Sequence, residues 1–165
     1  MDIGNKGDYS VLTIQDELGR VLYIWRDNKV EYAYIVKKVV EICKHYKVND
    51  LLVETNGPGD PLFEQIKKGY SRATPLHQTQ QSKENIIRRL MGDIQDISLE
   101  LPSYNLFPYL GEELEIFEYE VLASGKLKYG HPNGFHDDCV MSLAMCNWNR
   151  INTKRGSGIR ISSLR

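Results

Sequence analysis

Gly134-Phe135-His136-Asp137-Asp138-Cys139-Val140 runs on through Met141-Ser142-Leu143-Ala144-Met145 to Trp148 and sets three ionisable side chains directly before an apolar segment. The apolar residues of that segment recur at helical spacing, so it predicts a half-buried closing helix with His136 onward at its head. Neighbouring carboxylates there repel unless a proton or a cation lies between them. A hard divalent ion is the simplest relief, and its remaining oxygen ligands must come from elsewhere in the chain. Asp2 and Glu54 are the candidates: aspartate is disfavoured in strands, yet Asp2 sits beside Ile3 in a strand-like start, and Glu54 ends an apolar run.

Outward from that stretch, the chain alternates. Met1-Asp2-Ile3-Gly4 reads as the end of a strand, which suggests a piece excised from a longer chain. Tyr9 to Asp16 and Val21 to Trp25 read as a hairpin around Leu18-Gly19, so three antiparallel strands open the fold. Glu31 to Tyr46 has the apolar spacing of an amphipathic helix. Leu51 to Thr55 is a nearly continuous apolar run, as in a parallel strand buried on both faces. It ends in the loop Asn56-Gly57-Pro58-Gly59. Asp60-Pro61 then caps a helix to about Tyr70. Thr74 to Gln78 is a strand, Ser82-Lys83-Glu84-Asn85 opens a helix, Ile97 to Leu101 is a short strand, and Leu110 to Leu122 is an acidic helix. Lys126 to Tyr129 is a ribbon or extended loop, and from Thr153 the composition turns to Arg, Ser and Gly. This order predicts an α/β domain over residues 1–152, with a central mixed sheet of about five or more strands and helices on both faces, followed by a mobile basic tail at 153–165.

At 165 residues, 41% hydrophobic and 26% charged, the chain suits one globular domain with a single sizeable core. No apolar run is long enough to span a bilayer. Three cysteines, each within an apolar helical pattern, suit buried thiols better than disulfides or a zinc site. A net charge of -1 does not announce a nucleic-acid binder, but acidic residues crowd into Glu100 to Glu120 while basic ones cluster elsewhere, including Arg88-Arg89. That distribution is compatible with a phosphate-binding groove.

The carboxylates also have plainer explanations. Asp137 or Asp138 could be a helix N-cap, Asp2 a frayed terminal residue, Glu54 the partner of a lysine, and His136 a core or capping histidine. Separately these do not predict the joint pattern. On a helical projection Asp137 points with the apolar face toward the sheet and Asp138 toward its edge, so Asp137 is slightly favoured as the inward ligand.

Asp2-Ile3-Gly4 followed by Asp8, then Leu52-Val53-Glu54-Thr55-Asn56-Gly57, Lys83 opening a helix, and Phe135-His136-Asp137-Asp138 before an apolar helix resemble the nuclease domain of the large terminase subunit of tailed bacteriophages. The resemblance covers Asp2 to about Trp148 and is most specific in the last motif. It implies a ribonuclease H-like fold and endonucleolytic cutting of concatemeric double-stranded DNA in the cytoplasm of the infected bacterial host. It also implies partnership with an ATPase motor domain, a portal protein and a small terminase subunit. By position, Asp2, Glu54, Asp137 and Asp138 would be catalytic metal ligands for Mg²⁺ or Mn²⁺, as two ions. Asp8 would be an accessory acidic residue, and Lys83, Arg88 and His136 candidate DNA contacts. Many relatives carry a further Asp three residues after the pair; here Met141 stands there, which leaves the ion count open. No Gly-x-x-x-x-Gly-Lys-Ser/Thr loop is present, so the motor is not in this stretch. The rivals are a junction resolvase, an RNA–DNA hybrid nuclease and a non-catalytic DNA-docking module.

Overall fold

A computed structural model describes residues 1–4, 8–28, 31–57, 59–123, 127–132 and 134–156. The alternation seen in the sequence becomes β1 (Ser10–Gln15), β2 (Val21–Asp27), α1 (Tyr32–His45), β3 (Leu51–Glu54), α2 (Gly59–Gly69), β4 (Ala73–Leu76), α3 (Gln80–Gln95), α4 (Pro108–Ile116), β5 (Glu118–Val121), β6 (Leu127–Gly130) and α5 (Asp138–Gly156).

β1 and β2 pair antiparallel, β3 and β4 parallel, and β5 and β6 antiparallel. The strands therefore form three short two-stranded sheets, where the sequence suggests one sheet of about five strands with three antiparallel ones first. The opening residues contribute a single bridge rather than a strand. Asp2 and Val11 exchange backbone hydrogen bonds of 2.9 Å each, and the Glu54 N–H donates to the Met1 carbonyl at 3.1 Å. Met1 and Asp2 thus lie between β1 and β3, which brings Asp2 beside Glu54.

Two helix layers enclose these strands, as the period-two pattern requires. Leu12, Ile14 and Trp25 pack with the α1 and α2 residues Ile35, Val39, Leu62 and Ile66. Val11 and Ile24, on the opposite face, pack with Ile86 and Leu90 of α3, Leu110 of α4, and Val140, Leu143 and Ala144 of α5. Within β3, Leu51 and Val53 join the first cluster while Leu52 packs against the second, matching a strand covered on both sides.

Three expectations are corrected. Ile97 to Leu101 is no strand: Ile97 is 87% exposed, has φ of 53°, and carries the chain out of α3 through a left-handed residue. The Ser98 N–H returns to the Asp93 carbonyl, closing the helix end, and only a bridge from Arg20 to Glu100 follows. The acidic helix stops at Ile116, and Glu118 to Val121 pairs with Leu127 to Gly130, where Tyr119 faces Tyr129. Pairing with the next strand overrides the local helical preference of the glutamates. Finally, α5 runs to Gly156, so residues 153–156 of the expected tail are helical; residues 157–165 lie outside the described residues, as do Pro58 and Lys126.

A buried polar network joins α3 to α5. Asp93 accepts from Arg89 Nε at 2.8 Å, Asn147 Nδ2 at 2.6 Å and Ser98 Oγ at 3.3 Å. Burial alone would raise its carboxyl, but these donors outweigh burial and hold it below the ordinary 3.8. A depressed folded pKa contributes stability above the unfolded value and loses it as pH falls through the folded one. Asp93→Ala is expected to cost at least about 2 kcal/mol through stranded buried donors. It should also remove part of the fold's acid sensitivity below pH about 4, both read by thermal melts across pH.

Candidate functional site

The end of β3, the Met1–Asp2 bridge and the head of α5 converge on one cavity of about 480 Å³, lined among others by Asp2, Asp8, Glu54, Lys83, Asp137 and Asp138. Each carboxylate arrives by a different local device. Asp2 is pinned by its backbone bridge to Val11. Glu54 is the last residue of β3, and the chain turns immediately into α2, with the Gly59 N–H bonded to the Asn56 carbonyl. A Cβ on Gly59 would collide with the Glu54 carbonyl oxygen, so only glycine permits this close approach. The Asn56 side chain then clamps Gln78 across the cavity mouth, donating to its carbonyl at 2.9 Å and accepting its N–H at 2.7 Å. That clamp leads into the Thr79–Ser82 capping box that starts α3, two residues before the start read at Ser82, and sets Lys83 on its first turns.

Asp137 and Asp138 have separate environments. Helical bonding begins when the Met141 N–H donates to the Asp137 carbonyl at 2.8 Å. Asp138 is buried, 8% exposed, and its Oδ2 accepts the Tyr9 N–H at 3.1 Å and lies 3.4 Å from His136 Nδ1. Asp137 Oδ2 instead bonds Lys83 Nζ at 3.4 Å, and its Oδ1 lies 3.7 Å from His131 Nε2. Asp138 is thus the more buried of the two, where the projection favours Asp137 as the inward residue, and both line the cavity. α5 begins at Asp138, two residues after the start read at His136, and Asp138 takes the more buried position. Neither aspartate side chain caps α5. Its Cys139 and Val140 N–H groups both donate to Glu113 Oε2 of α4, at 2.7 and 3.2 Å, which leaves the aspartates to the cavity.

Electrostatics single out Asp2. Burial raises its carboxyl well above the ordinary range, and a hydrogen bond with Glu54 together with the charges of Glu54 and Asp138 pushes it further. Burial likewise raises Asp138 to about 6, against the opposing Tyr9 N–H and with Glu113 and Asp8 adding to the rise. A proton held between such carboxylates relieves the same repulsion that a cation would. The donors are all carboxylate oxygens, which fits Mg²⁺ or Mn²⁺ in chemistry. Among the described residues, however, no three His, Cys, Asp or Glu side chains already surround one point.

The remaining sequence candidates lie at the rim. Asp8 is exposed and 3.8 Å from His136, whose ring meets Tyr9 edge-on at 5.2 Å. Lys83 is held by Asp137, and Arg88, further along α3, pairs with Glu84 at 2.8 Å. Sequence reasoning missed Glu113, Arg26 and Tyr9. Glu113 was hidden in the acidic run of Glu100 to Glu120, though it is 5% exposed. Cys43 and Cys139 are buried free thiols, as the sequence pattern indicates, whereas Cys146 is free but only partly buried.

In sequence and fold the chain is similar to the nuclease domains of phage large terminase subunits. In particular, the large terminase subunit of Thermus virus P23-45 is 28% identical over 146 residues, which cover 87% of this chain. The chain spans 30% of that protein's length. The large terminase nuclease of the thermophilic phage G20c with bound magnesium superposes with a TM-score of 0.80 at 27% identity, covering 89% of this chain and 77% of that one. The nuclease domain of Thermus phage P74-26 gives 0.77 at 25% identity, covering 90% and 76%. The G20c nuclease is also known with bound cobalt and with bound zinc. No family model matches the chain.

Proposed function

We propose that this chain is the nuclease part of a large terminase subunit: a metal-dependent endonuclease that cuts concatemeric double-stranded phage DNA during genome packaging. The observation that carries the reading is the half-buried Asp2, set against Glu54 and sharing one cavity with Glu54, Asp137 and Asp138. Likeness to a nuclease known with magnesium, cobalt and zinc supports it.

Asp2, Glu54 and Asp138 would hold the divalent ions, two of Mg²⁺ or Mn²⁺, with Asp137 at the margin. Such ions supply an activated water and charge stabilisation for the leaving oxygen of a phosphodiester. Lys83, released from Asp137, and His136 at the rim would meet the phosphate backbone, and Arg88 would extend that contact along α3. Because phosphate contacts carry no sequence information, cutting should show little sequence preference and fall with salt. The three strand pairs and the Asp2 bridge would together make up the ribonuclease H-like sheet, in a domain of residues 1–152. An ATPase motor domain, a portal protein and a small terminase subunit are the proposed partners, in the cytoplasm of the infected host.

The test is cleavage of supercoiled plasmid with Mn²⁺, Mg²⁺ or EDTA, beside four-way junction and RNA–DNA hybrid substrates. Cutting of plasmid that EDTA abolishes is expected. Preference for the junction or the hybrid would transfer the assignment to another ribonuclease H-like nuclease, and cutting that survives EDTA would remove the metal.

A further inference from the structure

The head of α5 is held from behind by a closed ring of contacts. Glu113 Oε2 accepts the Cys139 and Val140 N–H groups, satisfying donors that a helix start otherwise leaves open and placing a negative charge at the positive end of the helix dipole. Its other oxygen, Oε1, makes no hydrogen bond and lies 3.7 Å from Arg26 Nη2. The Arg26 guanidinium stacks over the Tyr9 ring, 3.3 Å from its centroid, and faces Tyr109 at 4.5 Å. Tyr9 completes the ring, since its backbone N–H donates to Asp138 Oδ2. Asp138 is therefore fixed twice: through the backbone of the turn that Glu113 anchors, and through one carboxylate oxygen that the Arg26–Tyr9 stack steadies.

We propose that Glu113 is a positioning residue for the metal site, its reach from α4 setting where Asp138 stands and hence how tightly the site takes a divalent cation. This rests on the reading of Asp138 as a metal-holding residue given above. Glu113 itself touches no substrate. Arg26 and Tyr9 serve the same end by keeping Glu113 and Asp138 in register. A purely structural anchor would also be buried here, but its shortening would lower the melting temperature and leave metal affinity alone.

The distinguishing probe is Mn²⁺ itself, titrated into the whole chain and followed by the electron paramagnetic resonance of the free ion, with thermal melts alongside. Glu113→Asp keeps the charge but shortens the side chain by one methylene, so it should bind Mn²⁺ about tenfold more weakly while still melting cooperatively. Glu113→Gln keeps the reach and an acceptor oxygen and should recover most of the affinity. Wild-type Mn²⁺ affinity in Glu113→Asp would overturn the proposal. An equal loss in Glu113→Gln would also overturn it, because charge and not reach would then be the cause. Should Glu113→Asp fail to fold, Arg26→Lys decides in the same way: it keeps the charge, loses the planar stack on Tyr9, and should weaken Mn²⁺ binding, with unchanged binding overturning the proposal. Failure of the wild type to bind Mn²⁺ would instead bring down the metal-site reading itself, and this inference with it.

Discussion

Glu54→Ala is expected to lower Mn²⁺-dependent plasmid cleavage by at least about 100-fold, more than residues that only support a ligand usually cost. Glu54 is placed by β3, by the turn that Gly59 makes possible and by the Met1 carbonyl, none of which involves its carboxyl. The substitution should therefore leave the fold intact, and a cooperative melt close to that of wild type is part of the expected result. Full cleavage by the folded variant would remove Glu54 from the site. The substitution also takes away a charge that Asp2 feels, so any residual activity should respond differently to pH.

Asp2→Asn carries the second large effect, and its sign differs between function and stability. Cleavage should be lost, because an amide is a poor ligand for a hard cation. In EDTA, however, the variant should be more stable than wild type at pH 8. Asp2 has a raised folded pKa, chiefly from burial and then from Glu54 and Asp138. A raised acid pKa contributes stability below the unfolded value and loses it as pH rises through the folded value. Metal-free wild type should thus weaken as pH rises from mildly acidic to alkaline, and asparagine, which imitates the protonated acid, should not. A gain of about 1 kcal/mol would appear as about 2–4 °C in the melting midpoint for a domain of this size. An identical pH dependence in the variant would show that Asp2 is not the strained group. The exchange of stability for a site that a cation must complete is common where charges converge for function.

Much of this was legible in the sequence because the signals were local. Period-two alternation located β1 and β2, the lysine-studded apolar stripe located α1, and Asp60-Pro61 located the start of α2. Asp2, Glu54 and the Asp137-Asp138 pair stood out because carboxylates are costly at strand ends and at the head of a buried helix, and the structure brings them to one cavity. What was not legible depended on pairing, backbone conformation and contacts that the local composition does not signal. Glu118 to Val121 has the composition of a helix and becomes a strand only because Leu127 to Gly130 returns beside it. Ile97 to Leu101 alternates like a strand, but the exit from α3 needs a left-handed residue at Ile97. Asp138 is more buried than Asp137 because the helix starts at Asp138, two residues later than read, a shift within the usual uncertainty of helix ends. Glu113 could not be told from its acidic neighbours, since its distinction is a contact with residues 139 and 140.

The central claim is that Asp2, Glu54 and Asp138 together take divalent cations. Anomalous diffraction from a crystal of this chain grown with Mn²⁺ tests it most directly. The predicted result is a Mn²⁺ peak with carboxylate oxygens of Asp2, Glu54 and Asp138 about 2.1–2.2 Å away, and a second peak nearby if two ions act. A crystal in Mn²⁺ whose only peaks lie elsewhere, for instance between Asp137 and His131, would contradict it.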